Sequence, residues 1–401
     1  MDKRKGAAFV ILLCVSILIS GCWDRRELHE RNFVLAVAID TAEDGKSGTK
    51  PEKASKVKST ETFVQPHGTK RYRLSLQILK LGGDEKAKSK TYVISNTGES
   101  IFEMVRDMLG QSGKSLWFEH IQMIILSEAV VKEAGLGELL DFFRRDSEMR
   151  SRIKLYVTSG NARAFVEHTP PSKQAGGLYL SEIIRMHTRN IHMAGARTDL
   201  GFVSQFLDNK IDIMLPRIEM AGKVVKVGGS AIFKKEKFVG YADEYAVAGR
   251  KFVAGTEKSA IVTVPCPNHP DHQVAFELYR HDTRLRPHLD GDRIYFTLDI
   301  TMYGNVGELQ GDVEDDDTMD SQYIRKLEVA FANEIEQTVR YSENVFQKQL
   351  RVDSVNVFAS KLRAYEPETW EKVKDQWDEV YPEISLVMSV NVSIRNIGSH
   401  K

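Results

Sequence analysis

Cys266, His269 and His272 form a C-x2-H-x2-H run with Asp271 between the histidines, and this set of thiolate, imidazole and carboxylate donors is the best candidate in the chain for holding a zinc-like ion. Pro265, Pro267 and Pro270 interrupt the run, which therefore reads as a loop leaving a strand, and no metal site is expected. His187 and His192 lie five apart on an expected helix, a spacing that puts them off one another's face and argues against shared ligation. The acidic run Asp312, Glu314, Asp315, Asp316, Asp317 and Asp320 invites a calcium reading but lacks the glycine and closing glutamate of an EF-hand loop. It reads instead as a solvated loop whose last carboxylates favour the N-terminus of the next helix. No P-loop, no Gly-x-Gly-x-x-Gly after a strand and no Gly-x-Ser-x-Gly elbow is present. No catalytic residue and no cofactor are expected.

The sharpest chemical signal stands at the N-terminus. Lys3, Arg4 and Lys5 precede an apolar run from Ala7 to Ile19, and Ser20, Gly21 and Cys22 follow. This is a charged n-region, an h-region and a small-residue cleavage site. The run is shorter than the roughly eighteen residues a spanning helix needs, and charges resume at Asp24, so residues 1–21 are expected to be a signal peptide. The order Ile19, Ser20, Gly21, Cys22 resembles the lipobox of bacterial lipoproteins. The resemblance implies that the Cys22 thiolate takes a diacylglyceryl group, that a peptidase cuts before it, and that the new amino terminus is acylated. A thioether needs a thiol, and small residues let the peptidase close around the backbone. Each buried methylene of such an anchor contributes about 0.8 kcal/mol, and two chains hold a protein stably where one does so only marginally.

The rest of the chain has the composition of a folded, water-facing body: 42% hydrophobic, 28% charged and 9% aromatic. The formal charge is zero, and cleavage removes Lys3, Arg4, Lys5 and Asp2, a net of +2, leaving about −2. Nucleic-acid binding, which calls for a concentrated basic face, is disfavoured. Of the 3 cysteines, Cys14 leaves with the signal and Cys22 is to be lipidated, so Cys266 has no disulfide partner and stability must come from burial.

Hydrophobic periodicity supplies the elements that position these residues. Arg31 to Asp40 reads as a buried strand, residues 41–70 as a long solvated insertion, and Tyr72 to Ile78 as a strand of period two able to pair with the first across it. Next come a helix through Ile101, Met104, Val105, Met108 and Leu109, capped by Thr97 or Ser100, and a strand over Ile121 to Leu126. A helix over Leu136 to Arg145, a strand over Ile153 to Thr158 and helices near Ala162 to Glu167, Leu178 to Ile191 and Leu200 to Leu207 complete an N-terminal α/β module, residues 22–215. A C-terminal α/β module is expected over residues 222–401, opening with strands at Val224 to Val227, Ala231 to Phe233 and Phe238-Val239. It continues with strands at Ala260 to Val264, Val274 to Tyr279 and Ile294 to Met302 and a long helix over about 321–350. In the last strand Ile384, Leu386, Met388, Val390, Val392 and Ile394 share one face. Ile324, Leu327, Phe331, Ile335 and Val339 give the long helix one apolar stripe, so it should lie across the C-terminal sheet. Trp370 and Trp377, seven apart, should share a core-facing side. The fold class is therefore α/β (α+β), multi-domain, with mixed sheets and packed helices.

These residues also carry a family resemblance. Gly21-Cys22-Trp23-Asp24-Arg25-Arg26-Glu27, followed by the strand ending in Asp40, resembles the start of the C subunits of spore germinant receptors. Gly229-Ser-Ala-Ile-Phe-Lys-Lys, Phe238-Val-Gly-Tyr, Ile261-Val-Thr-Val-Pro-Cys-Pro267, Gly304-Asn-Val with Glu308, and Trp370-Glu-Lys-Val-Lys-Asp-Gln-Trp377 follow in the family's order and cover most of the mature chain. The insertion between Asp40 and Arg71 is longer than the family usually has, and Leu28-His29-Glu30-Arg31 departs from its commoner sequence.

The resemblance implies a non-enzymatic lipoprotein on the outer face of the spore inner membrane, tethered through Cys22 beside two integral-membrane subunits, of A and B type, that respond to nutrient germinants. Two other classes stay open: the substrate-binding lipoprotein of a membrane transporter, which should show two similar lobes, and an envelope enzyme, which should show a catalytic constellation.

Overall fold

The computed structural model describes residues 30–42, 71–80, 90–170, 175–194, 197–222, 224–256, 259–310 and 320–397. In chain order the elements are β1 (Arg31–Thr41), β2 (Tyr72–Leu79), β3 (Thr91–Gly98), α1 (Ile101–Ser112), β4 (Ser115–Trp117), β5 (Met123–Ser127), α2 (Glu128–Glu133), α3 (Leu136–Arg145) and β6 (Lys154–Thr158). Then follow α4 (Arg163–Glu167), α5 (Gly176–Ile184), α6 (Leu200–Asp208), β7 (Ile213–Ala221), β8 (Val224–Lys234), β9 (Lys237–Ala242) and α7 (Glu244–Ala254). The remainder is β10 (Ala260–Pro265), β11 (Gln273–Asp290), β12 (Arg293–Leu309), α8 (Ser321–Glu343), α9 (Val357–Tyr365), α10 (Pro367–Val373), α11 (Trp377–Val380) and β13 (Ser385–Asn396).

Among the described residues the strands form two sheets. The first has 9 strands in the order β3-β2-β1-β5-β6-β7-β8-β9, with β4 pairing onto β1; the second has 4, in the order β10-β11-β12-β13. β1 and β2 pair antiparallel with Val37 opposite Leu76 and Ile39 opposite Leu74, the pairing that their alternation predicts. β1, β5 and β6 run parallel at the centre. Their residues are buried on both sides, as a sheet covered on both faces requires.

On one face Val37, Ile39, Leu74, Ile124 and Leu155 pack beneath the apolar stripes of α1, α3 and α6. On the other, Ala36, Ala38, Met123, Ile125 and Tyr156 pack beneath α4 and α5. β1 presents Ala36 and Ala38 to that second face, where α5 lies close: a Cβ on Gly177 would sit 3.0 Å from the Ala36 Cβ. Two buried polar side chains tie the layers. The Asp40 carboxylate accepts from the Ala162 N–H at 2.7 Å and the Arg163 N–H at 3.0 Å, capping α4. Gln77 donates to the Val166 carbonyl at 2.6 Å and accepts from the Gly177 N–H at 3.1 Å.

The helix caps follow from short polar residues. The Ser100 hydroxyl accepts from the Glu103 N–H at the start of α1, and Asp320 caps α8 by accepting from the Gln322 N–H at 2.9 Å. α8 lies across the second sheet and buries Leu327, Phe331, Ile335 and Val339 against Phe276, Leu298 and Ile300. Tyr323 rather than Ile324 opens its buried stripe, the axis being turned slightly from the face the spacing suggests. In β13, Leu386, Met388, Val390, Val392 and Ile394 face that same core.

The pairing of strands into sheets runs across the residue at which the sequence reading opens the second module. β8 and β9, assigned there to a module opening at residue 222, hydrogen-bond into the first sheet, with β8 antiparallel to β7 and β9 antiparallel to β8. Their alternation reports a buried face but not which sheet receives it. The strands at Val274 and Ile294 are also longer than expected and form a ribbon that pairs antiparallel from Val274 opposite Leu309 to Asp290 opposite Arg293.

A buried charge cluster and cavity as candidate functional site

α7 links the two sheets. Asp243 caps its start by accepting from the Ala246 N–H at 2.8 Å, and Gly255, at φ 64°, closes its end in the left-handed conformation. One turn from that end, Gly249 lets α7 cross α8 so closely that a Cβ there would stand 2.4 Å from the Ser342 Cβ and 2.4 Å from the Thr338 carbonyl oxygen. The close crossing drives the next residue, Arg250, wholly out of solvent, 1% exposed.

Its guanidinium is met on nearly every N–H. Nη2 donates to Asp353 Oδ1 at 2.6 Å and to the Ser354 carbonyl at 3.1 Å, Nε donates to the Ser354 hydroxyl at 3.2 Å, and Nη1 donates to Glu343 Oε1 at 3.4 Å. The rings of Phe346 and Phe358 lie 5.3 Å from it. Burial works against the charge of Arg250, but Tyr381, Glu343 and Asp353 outweigh it and hold the group protonated. Asp353 also accepts from the Phe358 and Ala359 N–H groups at 3.2 and 2.8 Å and from the Trp377 indole at 3.3 Å. Glu343 accepts from the Tyr381 hydroxyl at 3.4 Å. Burial, with the neighbouring Asp353, pushes the Glu343 pKa up, against the pull of Arg250 and Tyr381.

A cavity of about 280 Å³ opens beside this cluster, walled by Arg197, Thr198, Met214, Arg250, Val355 and Lys361. Thr198 is 2% exposed, and its hydroxyl has no hydrogen-bond partner among the described residues. Val355, also in the wall, and Asn356 after it stand at φ 52° and 51°. A β-branched residue in the left-handed region is strained by roughly 1–3 kcal/mol, and here the Val355 N–H is held by the Asp212 carbonyl at 3.0 Å. A wider groove of about 920 Å³ runs between α1 and α3 past Tyr72, Phe102, Glu138 and Phe142. It is open to solvent, and the Tyr72 hydroxyl donates to Glu138.

The residues singled out in the sequence fall elsewhere. Ile19, Ser20, Gly21 and Cys22 lie outside the described residues, as do Asp312, Glu314, Asp315, Asp316 and Asp317 and residues 43–70 of the insertion. Thr41 and Ala42, also read as insertion, belong to the end of β1 and the turn after it. Cys266 points into the second core, its Sγ 3.4 Å from the Tyr323 hydroxyl. His269 and His272 flank the turn that the Cys266 N–H closes onto the His272 carbonyl at 2.9 Å. Among the described residues no group of three or more His, Cys, Asp and Glu is placed to hold a metal.

His187 reaches the rim of the cavity, and burial, then the charges of Lys251 and Lys154, lowers its pKa. His192 instead sets Nδ1 3.3 Å from the Glu244 carbonyl. Trp370 and Trp377 meet edge to face at 5.4 Å against the second core, though a 3-10 turn separates their helices. The sequence reading missed α7, and with it Arg250. Asp243 and Gly255 are the cap signals that bracket the helix. No local signal marks its arginine as buried.

Comparison with known proteins returns one family along the chain. Residues 24–220 match a family described as spore germination protein N-terminal domain, and residues 228–398 match one described as spore germination B3/GerAC like, C-terminal. The chain is similar to spore germination protein YndF of Bacillus subtilis (strain 168), 24% identical over 410 residues that cover 100% of this chain and 98% of the relative. It is similar to spore germination protein B3 of the same organism, at 22% identity with 99% of each chain covered, and to its spore germination protein KC, at 22% with 98% and 96% covered. Among solved structures it resembles one described as the crystal structure of the GerBC protein, with a TM-score of 0.56 and 19% identity, covering 82% of this chain and 94% of that one. The likeness to that structure concerns the fold, a mixed α/β arrangement of two sheets with packed helices.

Proposed function

The chain belongs to the spore germination family that these N- and C-terminal domains define, and from that premise we propose that it is the lipid-anchored, non-enzymatic C-type subunit of a nutrient germinant receptor. A role in spore germination is the part of this reading that the family match supports directly. The single observation that carries it is the match of both domains, in order, with full-length coverage of relatives named as spore germination proteins.

The finer statements rest on the sequence and on physical argument. Cys22 would carry the S-diacylglyceryl and N-acyl groups, and Ile19, Ser20 and Gly21 the cleavage motif. The described body starts at Glu30, whose carbonyl accepts from the Ser115 hydroxyl at 3.4 Å. Cys22 lies eight residues before it, at most about 29 Å of extended chain. Anchoring there would hold the Arg31 end of β1 against the outer face of the spore inner membrane, in reach of two integral-membrane subunits of A and B type. Among the described residues no helix is long and apolar enough to cross a membrane; the lipid on Cys22 is the means of attachment proposed. A transporter's binding lipoprotein should have two similar lobes, whereas the sheets here have 9 and 4 strands and different connections.

Deleting the gene, together with any paralogue, should abolish germination by the nutrients of one receptor and spare routes that bypass receptors. Germination assays on the mutant spores check this, and a normal nutrient response would overturn the receptor role. Substrate turnover by the purified protein would overturn the non-enzymatic part.

A further inference from the structure

The cavity between the sheets is built as a binding site, and we propose that it takes a small aliphatic monocarboxylate. The inference rests on the cavity alone and stands whether or not the receptor role holds. Its volume, about 280 Å³, is that of roughly nine waters at ~30 Å³ each, room for a body of about six to ten non-hydrogen atoms. The wall divides by chemistry. Met214, Val355 and Val357 are apolar, while Arg197 and Lys361 bring two cations without ion-pair partners among the described residues.

Thr198 is the second, independent observation. The residue is 2% exposed and stands in the wall of this cavity, and a buried hydroxyl without a partner among the described residues costs roughly 1–3 kcal/mol. A carboxylate oxygen placed there accepts a hydrogen bond from the Thr198 hydroxyl. Val355, strained in the left-handed region, shapes another part of the wall, in the manner of backbone held by its surroundings at a ligand clamp.

The charge pattern selects among anions. Among the described residues no carboxylate lines the cavity, and the nearby Asp353 is occupied by Arg250, two backbone N–H groups and Trp377. An α-ammonium group would therefore be desolvated beside Arg250, Arg197 and Lys361 with no described carboxylate to pair with. A simple carboxylate gains the same cations without that cost, and its alkyl body covers Met214 and Val355. The site lies where β7, α7 and the start of α9 meet, so an occupant touches both sheets' supporting elements.

The test is calorimetric titration of the full-length protein in detergent micelles, empty micelles as the blank. Butanoate, 3-methylbutanoate and 4-methylpentanoate serve as probes, with 4-methylpentanamide and leucine as controls. At least one acid should bind with a Kd on the order of 0.1–1 mM, as its small size allows, and the amide and leucine at least tenfold more weakly. R197Q/K361Q, at rim positions, should weaken the acid about tenfold or more. T198V, nearly isosteric, should weaken it about fivefold while leaving the melting temperature unchanged or raised. No binding by any of the three acids would overturn the proposal, as would equal binding of acid and leucine. Undiminished affinity in T198V would also overturn it, by showing that the hydroxyl is served by water alone.

Discussion

At the scale of the residue, two side chains lend themselves to sharp tests, one outside the described body and one inside it. Cys22→Ala removes the only thiol at the expected lipid site, so labelled fatty acid should fail to enter the protein and the precursor should keep its signal. Label retained by the variant would remove the anchor from the proposal. Asp212 sits inside, buried just before β7, its carboxylate accepting at 2.9 Å from the N–H of Lys235 in the turn between β8 and β9. Burial, with repulsion from Asp353 and Asp378 and against that hydrogen bond and Lys234, pushes its pKa up to about 6. A carboxyl raised above its unfolded value of about 3.9 contributes its full stability below that value and loses it as pH rises through 6. Asp212→Asn keeps the acceptor and cannot ionise. The variant should match wild type near pH 4 and be more stable by about 2 kcal/mol at pH 8. Denaturation midpoints at both pH values check this, and a gap independent of pH would contradict it.

At the scale of the element, a matched pair of glycines separates intrinsic helix preference from packing. Gly110 lies in α1 with nothing within 4 Å of an added Cβ, so Gly110→Ala should gain about 0.5–1 kcal/mol. Gly249 has the same preference to gain, but its Cβ would meet backbone of α8 at 2.4 Å, and forcing the helices apart costs about 1–3 kcal/mol or more. The second effect is larger, so Gly249→Ala should destabilise. Melting temperatures moving in opposite directions would bear this out; a stabilised Gly249→Ala would mean that the α7–α8 crossing is looser than described. The elements differ in legibility for the same reason. α3 and α8 announce themselves because one apolar stripe faces one core. α7 is apolar on two sides, with Ala246 and Val247 in one cluster and Phe252 and Val253 in another, so its periodicity is blurred.

At the scale of the whole molecule, the sheets are joined by α7, by the cluster of Met214, Ile232, Phe346 and Val352, and by the Arg250 charges. Unfolding either side would strand Arg250, Glu343 and Asp353 without partners, so wild type should melt in one calorimetric transition. Arg250→Met leaves two buried carboxylates facing each other and should cost about 3–5 kcal/mol. The defect should shrink at low pH, because Glu343, already raised by burial, can take the proton that removes the repulsion. Two transitions in wild type, or a variant within about 1 kcal/mol of it, would show that the cluster does not couple the halves.

The sequence by itself determined the family to which the chain belongs, and it carries the run Ile19 to Cys22 on which the anchoring proposal rests. It also determined those elements whose burial is one-sided and local: the pairing of Arg31–Thr41 with Tyr72–Leu79, the helix Leu136–Arg145 and the stripe of Ser321–Glu343. Only the tertiary structure decided that Val224–Lys234 and Lys237–Ala242 complete the first sheet, that Arg250 is buried, and that Thr198 and Val355 line one cavity. Alternation and helical spacing state which side of a segment avoids water, since that depends on neighbours a few residues away. The surface it is buried against is fixed by register and close crossings among residues far apart in the chain, such as Gly249 with Thr338 or Asp40 with Ala162, and these exist only once the whole is packed.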